Sequence, residues 1–201
     1  LLTHTAGLPP GSPALREPAA SREERIARLA EIRPEAPPGT RIIYSDLGFI
    51  LLGELVSRVS GRPLERFVRE QVHGPLGLAE TGYLPRGERA ASAAATEFRE
   101  ELGRFQCGDV HDQTAAALGG VAGHAGLFGT APEVAAYGQM WLDGGSGVLS
   151  PASVAAATRD QTPHIDGPEH RGLGWIVAHD AAAFLSCGDL FSIGSFGHTG
   201  F

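Results

Sequence analysis

The chain has 201 residues, of which 42% are hydrophobic and 19% charged, with a formal net charge of −7 at pH 7. These values are typical of a globular chain long enough for one domain or a large part of one. The negative charge, with no cluster of basic residues to offset it, argues against a nucleic-acid partner. No apolar run approaches the ~20 residues that a membrane span requires.

The loop at the start of the chain and the first helix show clear boundary signals. Residues 1–10 are predicted to end a helix in a loop, because Gly7 is followed by two prolines. His4 in this loop could be a ligand or a base, although a buried histidine more often serves as a hydrogen-bonding group. Ser21 and Glu24 have the spacing of a capping box, which predicts a helix from there to about residue 32.

The segment around Tyr44 joins a short apolar run to a long amphipathic helix. Ser45 or Asp46 can accept hydrogen bonds from the first amides of this helix and so cap it. Apolar residues at helical spacing predict a single buried face, formed by Leu47, Ile50, Leu51, Leu55 and Val59. Tyr44 is therefore expected where a rigid strand-like segment meets a rigid helix. Its phenol lies either at the edge of a cleft or in a half-buried core position, with Asp46 then only a cap.

The most glycine-rich stretch runs from residue 118 to residue 129 and has five glycines in 12 residues. Such a stretch predicts a backbone that turns tightly or approaches another element closely. It lacks the G-x-x-x-x-G-K-[ST] pattern, so phosphate binding is not predicted. Thr130 and Glu133 then predict a second capping box, before a helix over residues 134–142.

The last third of the chain changes character. A helix is predicted from Ser150 to about residue 158, and strands are predicted over residues 173–177 and 190–193. A turn at Gly194 should lead into one more strand. Helices therefore fill the middle of the chain and strands gather towards its C-terminal end, which predicts an α+β fold with segregated helices.

Cysteines and histidines form no recognisable metal motif. Cys107 and Cys187 are the only cysteines, lie far apart and lack C-x-x-C spacing. They could form one disulfide or remain two free thiols, so they do not fix the redox compartment. His111, Asp112 and His124 also lack metal-ligand spacing, and hydrogen bonding is their expected role.

Several short motifs occur in an order typical of one family. They are Tyr44-Ser45-Asp46, the glycine-rich loop 119–129 and His198-Thr199-Gly200, accompanied by Leu-Leu-Thr-His-Thr-Ala-Gly-Leu at residues 1–8 and Pro-Leu-Gly-Leu at 75–78. Over residues 1–201 the chain resembles the serine β-lactamase and penicillin-binding-protein superfamily. Within it, the chain is most similar to the branch of class C β-lactamases, D-Ala-D-Ala carboxypeptidases and related esterases.

This resemblance implies a β-lactamase/transpeptidase-like fold, in which a helical lobe accompanies an antiparallel sheet with flanking helices. The chain would be the central part of a single domain, mostly the helical lobe over residues 1–160 and strands of the sheet over residues 171–201. Both ends are expected to be truncations, because residue 1 is not Met and residues 198–201 fall within a predicted strand.

The resemblance also implies roles for individual residues. In the family, the serine of S-x-x-K attacks a carbonyl, and water hydrolyses the resulting acyl-enzyme. Tyr44 would be the tyrosine of Y-x-N, which shares a proton relay with that lysine. His198 occupies the lysine position of K-T-G and would tune Tyr44 or bind a substrate carboxylate, which Thr199 would also hydrogen-bond. Gly200 would leave room for substrate, and the Phe201 N–H would be one oxyanion donor.

Two features depart from the family pattern. Asp46 stands where Y-x-N has asparagine, and a carboxylate only accepts hydrogen bonds and adds charge, whereas an amide also donates. Asp46 could pair with the S-x-x-K lysine, but it could also disfavour an anionic β-lactam or a peptide carboxylate nearby. This departure favours a peptidase or an esterase over a β-lactamase. The chain also contains no lysine, so S-x-x-K is expected upstream of Leu1. These residues alone are expected to hydrolyse neither nitrocefin nor a p-nitrophenyl ester.

The resemblance thus implies a serine hydrolase that acts on a D-Ala-D-Ala-type peptide, a β-lactam or a small ester, with no cofactor and no metal. Tyr44 and Asp46 would be catalytic, and residues 198–201 would bind substrate. The expected partner is a peptide or small molecule rather than a nucleic acid, and the implied compartment is the periplasm or cell envelope. The alternative is a catalytically inactive member whose pocket serves for binding or scaffolding.

Overall fold

The computed structural model describes residues 1–18, 20–179 and 191–200. The chain divides into two units. The first unit comprises Leu1–Pro10, Arg33–Gly48 and Met140–Phe201, and the second comprises Gly11–Ile32 and Phe49–Gln139. Each unit is therefore assembled from segments that are distant in sequence.

The α-helices of the described residues are α1 (Arg22–Arg28), α2 (Asp46–Ser60), α3 (Leu64–Val68), α4 (Glu88–Ala91), α5 (Gln113–Ala117), α6 (Ala131–Leu142) and α7 (Pro151–Thr158). Short 3₁₀ helices occupy Pro13–Arg16, Leu29–Glu31 and Glu100–Leu102, and α3 continues into a π-helical turn over Arg69–His73. Among the helices described, none combines the length and the apolar character that crossing a membrane would require.

The predicted start signals of two helices are confirmed. At α1 the Ser21 hydroxyl accepts from the Glu24 N–H at 3.2 Å, and the Glu24 carboxylate accepts from the Ser21 N–H at 2.6 Å. At α7 the Ser150 hydroxyl accepts from the Ser153 N–H at 3.1 Å. Both capping side chains thus satisfy amides that have no partner within the first turn of their helix.

The second predicted capping box is wrong in its acidic half. The carboxylate of Glu133 accepts from the Glu80 N–H at 2.9 Å and from the Thr81 hydroxyl at 2.5 Å. It therefore bonds to a segment about 50 residues upstream instead of reaching back towards Thr130. Donors from a distant segment can take the place of the local N–H because either set fills the hydrogen-bonding capacity of the carboxylate. Sequence spacing alone does not distinguish the two arrangements.

The strands are short and all antiparallel. In the second unit β1 (Gly82–Tyr83) pairs with β4 (Leu127–Phe128), and β2 (Phe98–Arg99) pairs with β3 (Arg104–Phe105). In the first unit β5 (His170–Arg171), β6 (Ile176–Val177) and β7 (Phe196–Gly197) form a sheet in the order β5-β6-β7. Helices with small antiparallel sheets confirm the predicted α+β class.

Two predicted strand boundaries need correction. The strand predicted over residues 173–177 exists only at Ile176–Val177, because a tight turn precedes it in which the Gly172 N–H donates to the Trp175 carbonyl. Residues 191–193 are not a strand; the Ala178 N–H pairs with the Ser195 carbonyl, at the start of the β6–β7 pairing. Leu190, also part of that prediction, lies outside the described residues.

The predicted buried face of α2 is correct only near its start. Leu47 and Ile50 are buried and Leu51 is half-buried, whereas Leu55 is 54% and Val59 is 79% exposed. Helical spacing identifies a stripe of apolar residues, but it does not say how far along the helix other elements cover that stripe. The prediction is therefore wrong for Leu55 and Val59.

The glycine-rich loop of the second unit packs its backbone directly on α2. A Cβ at Gly123 would lie 2.0 Å from the Phe49 carbonyl oxygen and 3.0 Å from the Gly53 nitrogen. Gly120 and Gly126 have φ of 82° and 113°, which L side chains rarely adopt. The predicted combination of tight turns and close approach is confirmed.

An aromatic cluster supports the sheet of the first unit. The Trp175 ring lies 5.2 Å from that of Trp141 and 5.4 Å from that of Phe196, both edge to face. Ile176 and Ala178 are buried beside it. Edge-to-face aromatic contacts and apolar burial together stabilise this sheet. Arg171 lies in its strand β5, and His198 directly follows its strand β7.

Candidate active site

His4 links the loop 1–10 to the Tyr44 segment by its backbone and its side chain. Its N–H donates to the Leu1 carbonyl and its carbonyl accepts from the Ile43 N–H, both at 2.9 Å. Its Nδ1 accepts from the Ser45 N–H at 3.0 Å. The residue is 4% exposed and has a φ of 55°, a region in which histidine is more common than most non-glycine residues. The expectation of a buried, hydrogen-bonding histidine is confirmed.

Tyr44 is fixed because the residues that follow it are anchored to the same loop. The Ser45 hydroxyl donates to the Pro9 carbonyl at 2.6 Å, and the Asp46 N–H donates to the Pro10 carbonyl at 2.9 Å. The hydroxyl of Ser45 is thus directed at the loop 1–10. Asp46 is the first residue of α2, where a carboxylate interacts favourably with the helix dipole.

The Tyr44 side chain is surrounded by three basic residues and remains 49% exposed. Its ring centroid lies 4.6 Å from that of His4 and 5.8 Å from that of His198. The guanidinium carbon of Arg171 lies 5.7 Å from the same centroid. The structure therefore brings Tyr44 and His198, which are 154 residues apart in sequence, into contact distance within one unit.

Arg171 is a buried cation of β5, with 2% of its surface exposed. Its Nε donates to Glu169 Oε1 at 2.6 Å, and its Nη2 contacts the same oxygen. Its backbone N–H donates to the Thr162 hydroxyl at 2.9 Å. Within residues 1–18, 20–179 and 191–200, the buried Nη1 has no hydrogen-bond partner. The guanidinium is thus only partly neutralised beside Tyr44.

The surroundings of His4 fix its protonation state. Burial, followed by the positive charges of Arg171 and His198, lowers the pKa of His4 from its ordinary value of 6.5 to about 3. The imidazole is therefore neutral at physiological pH, and because its Nδ1 accepts a hydrogen bond, its ring proton lies on Nε2. His4 is therefore a neutral hydrogen-bond acceptor for the Ser45 N–H.

The predicted substrate-binding residues follow β7 without being part of it. His198, Thr199 and Gly200 are all exposed, and the His198 Nδ1 donates to the Thr199 carbonyl at 2.7 Å. The prediction that they lie in a strand is wrong, because β7 ends at Gly197. Open space surrounds the position of a Cβ at Gly200. Phe201, the predicted oxyanion donor, lies outside the described residues.

Two histidines of the second unit, His111 and His124, lie beside carboxylates. His124 Nε2 lies 2.9 Å from Asp112 Oδ1, and the same oxygen caps α5 by accepting from the Ala115 N–H at 2.7 Å. The hydrogen bond from His124 lowers the pKa of Asp112, although burial acts in the opposite direction. His111 Nε2 lies 3.1 Å from Glu97 Oε1. Cys107 is a free thiol, and Cys187 lies outside the described residues.

Sequence reasoning missed Arg171. The strand predicted over residues 173–177 corresponds to β6, so the separate strand β5 and the basic residue in it carried no signal of their own. A buried guanidinium is rare in proteins without a charged or aromatic partner. Its position beside Tyr44 depends on the pairing of β5 with β6, which only the fold establishes.

Known proteins are similar to this chain over its whole length. The family model described as "Beta-lactamase" matches residues 1–201. A protein of Escherichia coli K12 named a putative D-alanyl-D-alanine carboxypeptidase is 34% identical over 220 residues, covering 100% of this chain and 51% of its own length. The chain therefore spans about half the length of that relative.

Solved structures show a similar fold. The octameric penicillin-binding protein homologue from Pyrococcus abyssi has a TM-score of 0.67 at 22% identity, covering 90% of this chain and 43% of its own. A β-lactamase from Mycobacterium bovis has a TM-score of 0.63 at 24% identity, covering 98% of this chain and 56% of its own. Both likenesses concern the fold, and they confirm that it is β-lactamase/transpeptidase-like.

Proposed function

Because this chain belongs to the β-lactamase family, we propose that the intact protein is a serine hydrolase that transfers an acyl group to water through a covalent acyl-serine intermediate. The relatives named as putative D-alanyl-D-alanine carboxypeptidases favour a D-Ala-D-Ala-type peptide as the substrate, with β-lactams and small esters as other candidates. The chain contains no lysine, so the S-x-x-K segment with the nucleophile belongs to another part of the protein.

The observation that carries this proposal is the position of Tyr44 beside His198 and Arg171. A phenol with an ordinary pKa of about 10 becomes a usable base near neutral pH only when cations stabilise its phenolate. Tyr44 has Arg171 at 5.7 Å and His198 at 5.8 Å, measured to its ring centroid, and about half of its surface is open to solvent. The site thus supplies both the electrostatics and the access that a base requires.

In the proposed reaction, Tyr44 takes the proton of the attacking serine and the serine oxygen adds to the substrate carbonyl. The proton then passes to the leaving group, and water hydrolyses the acyl-serine in a second, equivalent step. Asp46, two residues after Tyr44 and the first residue of α2, would orient polar groups by accepting hydrogen bonds. His198 and Thr199 would bind a substrate carboxylate, Gly200 would leave room for the substrate backbone, and the Phe201 N–H would stabilise the oxyanion.

A second function is a pocket that binds without catalysis. It is favoured by one specific feature, Asp46, because a carboxylate in place of the family's asparagine removes a hydrogen-bond donor and adds negative charge. An inactive member would bind a D-Ala-D-Ala-type peptide reversibly and form no covalent adduct.

Acylation of the intact protein distinguishes the two functions. Incubation with a labelled penicillin or a fluorophosphonate should add one covalent label to a serine, detected by mass spectrometry. Tyr44→Phe should slow the labelling by about 10²–10⁴-fold, the usual contribution of a general base. Tyr137→Phe, which removes a hydroxyl from α6, is the matched control and should label at the wild-type rate. No label on the wild-type protein would support the non-catalytic pocket, and unchanged labelling of Tyr44→Phe would remove Tyr44 from its proposed role.

A further inference from the structure

Arg171 transfers no proton in the proposed reaction, yet its side chain is buried beside the proposed base. Its guanidinium carbon lies 5.7 Å from the Tyr44 ring centroid, and only 3% of the side chain is exposed. Among the described residues its Nη1 has no hydrogen-bond partner. Burying a charged group with an unsatisfied donor is unfavourable, and such groups cluster where a site needs their charge.

Charged and titratable groups near Tyr44 come from four of the described segments. Arg171 approaches from β5, and His198 approaches from the segment after β7. His4 approaches from the loop 1–10 and is neutral. Asp46 follows two residues later at the start of α2. Of these groups, arginine is the one that carries a permanent positive charge.

We propose that Arg171 is a positioning residue that stabilises the phenolate of Tyr44 by its permanent positive charge, whereas His198 occupies the lysine position of K-T-G. The inference rests on the proposed function, since it explains how Tyr44 could act as the base. It assigns to Arg171 of β5 the tuning of Tyr44 that the family resemblance implies for His198. Arg171 touches neither substrate nor nucleophile and acts only through Tyr44.

Glu169 sets the strength of this effect. It forms the ion pair with Arg171, and its own side chain is 37% exposed. A carboxylate paired with the guanidinium offsets part of the field that Tyr44 experiences. Neutralising Glu169 should therefore act in the opposite direction to neutralising Arg171, and this difference in sign cannot arise from a loss of packing alone.

The test is a titration of Tyr44 in the intact protein. Tyrosines labelled with ¹³C at Cζ are followed by NMR between pH 6 and pH 12, and Tyr44→Phe assigns the resonance. Arg171→Gln should raise the pKa of Tyr44 by about one unit, the lower end of the effect that a neighbouring opposite charge has on a pKa. Arg171→Lys, which keeps the charge, should leave it within about 0.3 units, and Glu169→Gln should lower it.

Two controls make the titration specific. Arg41→Gln removes an exposed positive charge three residues from Tyr44 and should shift its pKa by less than about 0.3 units, because exposed charges are screened. Tyr83, whose burial raises its pKa to about 12, reports on folding. If Arg171→Gln perturbs the Tyr83 resonance, the Tyr44 pKa values of the Glu169→Gln and Arg171→Lys variants test the proposal in its place. A Tyr44 pKa that is unchanged in Arg171→Gln, or raised in Glu169→Gln, overturns the proposal.

Activity provides the second readout. If Tyr44 is the base, the acidic limb of the pH–rate profile of acylation should move to higher pH in Arg171→Gln by the same amount as the Tyr44 pKa. At a pH below that pKa, the acylation rate should then be about tenfold lower than in the wild type. A protein that never forms an acyl-serine, but whose Tyr44 pKa responds to Arg171, would contradict the proposed function and support the electrostatic coupling. A protein that acylates with a limb insensitive to Arg171 would contradict the coupling alone.

Discussion

His4 should make the stability of the protein depend on pH below pH 6.5. In the folded protein burial, followed by the nearby cations, lowers the pKa of His4 to about 3, whereas in the unfolded chain it has its ordinary value of 6.5. Below pH 6.5 the unfolded chain takes up a proton that the folded protein refuses until about pH 3. Stability should therefore be complete above pH 6.5 and fall as the pH is lowered, by about 1.4 kcal/mol per unit, which amounts to about 2 kcal/mol between pH 7 and pH 5.

His4→Asn isolates this effect. The Asn Oδ1 occupies the position of the imidazole Nδ1, so it can still accept from the Ser45 N–H, and asparagine tolerates the φ of 55° at this position. Loss of the buried ring should lower the free energy of unfolding at pH 7 by about 1–3 kcal/mol. Between pH 7 and pH 5, however, the variant should lose about 2 kcal/mol less than the wild type.

The assay is urea unfolding of the intact protein at pH 7, 6 and 5. His73, another histidine whose pKa burial lowers, contributes equally to both proteins and cancels in the comparison. Equal losses of stability in the wild type and in His4→Asn would refute the reasoning, as would an NMR titration of His4 with a midpoint near 6.5.

Two further predictions concern the second unit. Gly123→Ala should lower the free energy of unfolding by about 3 kcal/mol or more, because its Cβ would lie 2.0 Å from the Phe49 carbonyl oxygen. Gly138→Ala, whose Cβ would meet open space, should be neutral or slightly stabilising. Thermal unfolding checks both variants, and a tolerated Gly123→Ala would contradict the close packing. Asp112→Asn should remove a charge-assisted hydrogen bond to His124 and lower the free energy of unfolding by about 1–3 kcal/mol at pH 7. The difference in free energy of unfolding between wild type and variant should shrink as the pH falls through the lowered pKa of Asp112, and an unchanged difference at low pH would contradict that pairing.

The fold class and the order of the motifs could be predicted because they depend on local signals. Ser21 and Glu24 form their capping box regardless of the rest of the protein, since every bond lies within one turn. The family resemblance located Tyr44 and His198 by motif order, and the structure places their rings 5.8 Å apart.

What the sequence could not supply depends on tertiary contacts. Glu133 has ideal capping spacing but bonds to Thr81 and the Glu80 amide, because those groups happen to lie closer in the folded chain. Leu55 and Val59 follow the helical stripe but remain exposed. Arg171 gained its place beside Tyr44 from strand pairing, and no spacing rule connects positions 44 and 171. Local patterns fix elements, whereas partners across the fold depend on how those elements pack.

The role of Tyr44 can be tested most directly by a crystal structure of the intact protein acylated with a penicillin. The phenol oxygen of Tyr44 should lie within about 2.6–3.2 Å of the oxygen of the acylated serine, with Arg171 and His198 beside the Tyr44 ring as they are here. An acyl-serine whose oxygen is out of reach of Tyr44, with another side chain in hydrogen-bond contact as the base, would contradict it.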